Sequence, residues 1–215
     1  MAYPTVSAPY GLKTVNLIGG QVFAGATRQI PVASGYNTSM FNGDVVKKNN
    51  AGVLIKEAGT TTANPVGVFL GCSYTDPVLK YQIYSQYFPA NTVASDIVAY
   101  VSDDPDQLYK VALVSGTTVV ATLARTAVGT NVALVQNAGD ANTGNSAVAA
   151  LTGSSATTIS LPLRIIDVVP ETATATDAFV EVIVKWNEPY FTLAEGTPNA
   201  ITWAGGHQYR NPLGV

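Results

Sequence analysis

Three aspartates crowd one short stretch, Ser102-Asp103-Asp104-Pro105-Asp106, set between two apolar runs within residues 97–113. Clustered carboxylates beside a backbone carbonyl are the oxygen ligands a hard cation such as Ca2+ takes, so Asp103, Asp104 and Asp106 form a candidate cation site. The spacing lacks the loop glycine and distal glutamate of an EF-hand. An aspartate before proline also makes a turn unaided: its carboxylate bonds backbone amides ahead of it while proline fixes φ. The turn is the primary reading and the cation site the minority one. The same crowding argues against glycoside hydrolysis, which needs two carboxylates facing each other across a cleft rather than neighbours in the chain.

Other chemistry finds little support. The chain has a single histidine, His207, in a Gly-rich tail, and no G-x-S-x-G turn to present a serine. His207 is therefore expected to be exposed or at an interface. One cysteine, Cys72, allows neither an intrachain disulfide nor a cysteine metal cluster. Gly19-Gly20 and Gly205-Gly206 belong to no phosphate-cradling motif and read as turns. No catalytic residue, resident metal or cofactor is assigned.

Composition narrows the partners. The chain is 47% hydrophobic but only 12% charged, about half the usual charged share, so its surface must be largely Ser, Thr, Asn, Gly and Ala. Such a surface suits contact with other protein. A net charge of −3 offers no positive field for a phosphate backbone, so nucleic acid is not expected. No apolar stretch approaches the roughly 18 residues of a membrane helix, and the start lacks a basic-then-apolar leader, so a product of the cytoplasm without a membrane partner is expected.

The elements that hold these residues read as all-β, a β-barrel or β-sandwich body with little helix, because no window keeps apolar residues at helical spacing between caps. Residues 1–38, rich in Pro and Gly and dotted with aromatics, read as an extended N-terminal arm with one or two strands, lying either on a neighbouring subunit or back on its own domain. Residues 39–125 and 160–187 read as the body. Within it, 45–47 and 53–56 form a hairpin, 65–72 a central strand where glycines let another backbone pass close, and 73–77 a break after that strand. Lys80 to Phe88 reads as a strand with a bulge or bend. Residues 126–159, almost free of charge, read as a Gly/Ala/Ser/Thr-rich insertion or small lobe, and 188–215 as a C-terminal arm.

Several segments resemble a family of virion structural proteins of tailed bacteriophages: Gly43-Asp44-Val45-Val46, residues 65–71, 99–105, 161–170 and 177–187. The resemblance spans most of residues 40–190 and carries no catalytic residues. It implies a capsid decoration, or cement, protein on the outer face of the head, made in the host cytoplasm. A minor head or tail component is the alternative within that family, and a carbohydrate-binding or adhesion module is the alternative outside it. The implied partners are the major capsid protein and further copies of the chain, a trimer being favoured over a dimer. On this reading aromatics of the arms grip neighbouring coat subunits: Tyr3, Tyr10 and Phe23 in front, and Tyr190, Phe191, Trp203 and Tyr209 behind. Deleting residues 1–36 is then expected to leave a folded body that no longer binds capsids.

Overall fold

The computed structural model describes residues 6–188, 190–193, 201–204 and 206–210, with backbone only for 190–193 and 201–204. Among these the chain is all-β, its helical structure limited to short 3-10 turns. No described helix is long and apolar enough to cross a membrane.

Two sheets carry most of the strands. The larger one runs Asn131–Val132, Leu163–Val168, Glu181–Trp186, Gln107–Val114, Ala149–Leu151, Leu134–Val135, with Lys13–Leu17 also on Gln107–Val114. Alternation drives it: Tyr109, Val111 and Leu113 from one strand and Val182, Val184 and Trp186 from its neighbour all point into one buried cluster. In Leu163–Val168 the register shifts between Ile165 and Asp167, which turns both Ile165 and Val168 inward despite their odd spacing.

The first and last strands of this order, Asn131–Val132 and Leu134–Val135, are separated in the chain by Ala133 alone. The stretch 131–135 thus pairs with Leu163–Val168 on one side and Ala149–Leu151 on the other, and the sheet becomes a nearly closed barrel. Residues 126–159, expected as an insertion or small lobe, supply these closing staves. Val132, Leu134, Val148 and Ala150 are buried in the same cluster as Tyr109 and Trp186, so the segment has no core of its own.

The second sheet runs Arg28–Pro31, Val98–Ser102, Gly67–Thr75, Val45–Lys48, Leu54–Lys56, with Gln82–Ser85 also on Gly67–Thr75. The expected hairpin is present, Val46 opposite Lys56 and Lys48 opposite Leu54. Gly67–Thr75 is the central strand, as its glycines implied: a Cβ on Gly67 would lie 2.1 Å from the Ser102 carbonyl oxygen, and one on Gly71 2.9 Å from that of Ser85. The strand does not break at 73 but runs to Thr75, because Gln82–Ser85 pairs with Cys72 to Thr75 and carries it on.

Of the two placements open to the N-terminal segment, its described part takes the one on its own domain. Lys13–Leu17 joins the larger sheet, Arg28–Pro31 joins the second, and Leu12 and Ile30 are buried, one in each core. Each strand finds an open edge in a sheet of its own chain, which satisfies its backbone and covers its apolar side chains.

Candidate functional site

The acidic turn lies at the joint between the two sheets: Val98–Ser102 enters it from the second sheet, and Gln107–Val114 leaves it into the larger one. Asp104 makes the turn through its own backbone, its Oδ1 accepting the Asp106 amide at 2.8 Å and its carbonyl the Gln107 amide at 3.2 Å. Beneath it, the buried Tyr109 hydroxyl donates to the Ser102 carbonyl at 3.2 Å.

The other two carboxylates face protein cations. Asp103 accepts from Arg28 Nε and, at 2.7 Å, from the Tyr209 hydroxyl. Asp106 sits 3.0 Å from Lys185 Nζ and 2.7 Å from Arg210 Nη2. The hydrogen bond from Lys185, with the charges of Lys185 and Arg210, lowers the Asp106 pKa below the ordinary carboxylate value. Glu188 closes the cluster on Lys185 and Arg210. The minority cation site at Asp103, Asp104 and Asp106 does not assemble, because each carboxylate is held by different partners. No group of three potential metal-ligating side chains occurs among the described residues.

Residues 206–210 pack against this turn. The Gly206 amide donates to the Ala63 carbonyl at 3.0 Å and the Gln208 amide to that of Pro65 at 2.7 Å, and these two bonds carry the side chain between them inward. His207 is consequently buried within its own chain, where an exposed or interface position was expected. Burial is the main reason its pKa falls to about 4, and its Nδ1 accepts the Tyr209 amide at 3.2 Å. Cys72 is also buried, and burial pushes its thiol up to about 12, far from the thiolate a nucleophile needs.

The aromatics expected to grip a partner divide. Tyr10 is half-buried and its hydroxyl donates to Glu181, whose carboxylate also faces Lys110 at 3.6 Å. Tyr209 is exposed on one side, but it lies under Lys48, 4.9 Å from the ring centroid, and Arg28, at 5.8 Å. Both therefore serve contacts inside the chain. Phe23 lines an open groove of about 630 Å³ between the 18–29 segment and the acidic turn. Tyr3 and the side chains of Tyr190, Phe191 and Trp203 lie outside the described residues.

A surface that sequence reading missed stands apart from all of these. The hairpin joining Gly67–Thr75 to Gln82–Ser85 exposes Val78 (81%), Leu79 (62%), Tyr81 (53%) and Tyr84 (70%). Asp76 shapes its tip, Oδ1 accepting the Val78 and Leu79 amides at 2.8 Å each. Lys80 completes it in the left-handed region at φ 59°, unusual for a residue with a side chain. Gln82–Ser85 pairs on one side only among the described residues, with no register shift and no charge or proline along it. Edge strands are ordinarily protected by such features. The available signal was the absence of any charged residue between Lys80 and Asp96.

Comparison with protein-family models, with curated proteins and with solved structures returned no match.

Proposed function

We propose that the chain is a non-enzymatic virion structural protein of a tailed bacteriophage, a capsid decoration protein that binds the outer face of the head and bridges coat subunits. The observation that carries this reading is the 76–85 hairpin. Val78, Leu79, Tyr81 and Tyr84 put four exposed large apolar side chains within seven residues, where others such as Val22, Val93 and Val119 are scattered along the chain, and such a concentration is how a protein-docking site is built. The neutral edge of Gln82–Ser85 beside it offers backbone donors and acceptors to a strand of the partner. The left-handed Lys80 is a local cost that fits a tip kept in shape for contact. The low charge of the chain and the segments resembling phage structural proteins support the same assignment. Partner contact moves on this reading from the arms to the hairpin, while several copies, as in a trimer, multiply a modest single contact.

The exposed rings of Tyr81 and Tyr84 favour one second reading, an adhesion module that stacks on sugars. Purified protein is mixed with phage heads stripped of it and, separately, with immobilised glycans. Sedimentation with the heads at saturable stoichiometry is expected. Glycan binding without head binding replaces the first reading by the second, and binding to neither overturns both.

A further inference from the structure

We propose that residues 206–210 form a proton-released latch, in which burial of the neutral His207 imidazole holds the segment against the body and protonation of that ring lets it go. The inference stands apart from the capsid reading, since it rests only on contacts within the chain.

The latch joins parts of the fold remote in sequence. The Gly206 and Gln208 amides bond the carbonyls of Ala63 and Pro65, and the Gln208 side chain bonds the Lys48 backbone twice, accepting its amide at 2.8 Å and donating to its carbonyl at 3.0 Å. Tyr209 reaches Asp103, and Arg210 reaches Asp106. His207 is the most buried side chain of the segment, 1% exposed, with its ring 5.2 Å from that of Tyr209. Its Nδ1 is occupied as an acceptor by the Tyr209 amide, and Nε2 faces the Val66 backbone. A proton added at Nδ1 would break the Tyr209 bond and bury a cation.

The charged groups facing the ring pull in opposite directions. Asp103 and Asp104, from the acidic turn, and the Val66 backbone favour the imidazolium; Arg210, on the segment itself, disfavours it. Burial is the largest influence and sets the outcome, a pKa near 4 against an ordinary value of 6.5. The undocked segment therefore takes up a proton more readily than the docked one. Docking is at full strength above pH 6.5, weakens about tenfold per unit as the pH falls toward 4, and levels off below, about 300-fold in all. The Asp106 ion pairs fail only at lower pH, because its pKa lies below the ordinary carboxylate value.

Because the chain has one histidine, its imidazole resonance is unambiguous, and NMR of the full chain follows that ring and the Gln208 amide together. The ring is expected to titrate near pH 4, with protection of the Gln208 amide from hydrogen exchange falling about 300-fold between pH 6.5 and 4. In His207→Gln that decline is expected to vanish while the contribution of Asp106 at lower pH persists. If the variant does not dock at pH 7, the wild-type titration decides alone. A ring that titrates near 6.5, or Gln208 protection that stays level from pH 6.5 to 4, overturns the latch.

Discussion

Asp104-Pro105 and Asp76-Pro77 start alike, each with an aspartate oxygen accepting amides just ahead of it in the chain, and end differently. Around Asp104 the neighbouring carboxylates are claimed by Arg28, Lys185 and Arg210, from remote parts of the chain, and the turn becomes the fastening point of two sheets. Around Asp76 no salt bridge forms among the described residues, and the tip presents Val78 and Leu79 to solvent. Identical turn chemistry therefore says nothing about role. What separates the two is whether long-range cations reach the carboxylates: at the Asp76 tip none does among the described residues, and its apolar side chains stay exposed.

Perturbing the joint should cost folding, and perturbing the hairpin should cost only binding. The largest effect is expected from deleting residues 1–36, which removes Leu12, Ile30 and two strands. The two side chains alone contribute roughly 3–6 kcal/mol of burial, comparable to a whole domain's typical 5–15. No folded body should remain by near-ultraviolet circular dichroism, contrary to what an independent arm implies. A folded truncated protein would mean that the N-terminal strands are dispensable to both sheets.

Next comes Gly67→Ala at the joint. Its new Cβ would strike the Ser102 carbonyl oxygen, a backbone atom that cannot turn away, and a loss at the upper end of about 1–3 kcal/mol is expected in urea denaturation. A wild-type midpoint would show that the two strands are not held at this close approach.

Asp106→Ala should cost less, about 1 kcal/mol, since the pairs with Lys185 and Arg210 are partly solvated. The lowered Asp106 pKa fixes the sign of the pH dependence. The contribution is present above the ordinary carboxylate value and is lost as pH falls through the folded one, so wild type and variant should converge in acid. Parallel stability curves down to pH 2 would remove these pairs from the account.

The smallest effect on stability is expected from Val78→Ser with Leu79→Ser, within about 0.5 kcal/mol, because both side chains already face water. The same pair of changes should abolish sedimentation with heads. Unaltered binding would move the docking surface elsewhere.

Much of the fold was legible where the cause was local. Asp104-Pro105 announces its turn by residues within two positions of one another, and Gly67, in an apolar run between glycines, announces a crowded central strand. The 45–48 and 54–56 hairpin is legible for the same reason. The barrel closure was not, because Asn131–Val132 and Leu134–Val135 are too short to hold a period and their role depends on partners 31 and 33 residues away in one case and 14 and 16 in the other. Nor was the burial of His207, which follows from amide bonds to the remote carbonyls of Ala63 and Pro65. Tyr10 and Tyr209 looked like free aromatics for the same reason: Glu181 and Asp103 are invisible as their partners until the chain is folded.

The most direct test of the central claim is density for this chain on intact phage particles. The 76–85 hairpin is expected to press against a coat subunit, with Val78 and Leu79 covered and the acidic turn facing its own Arg28, Lys185 and Arg210. Density in which the hairpin points into solvent while the acidic turn makes the contact, or particles without the chain on the head, would contradict it.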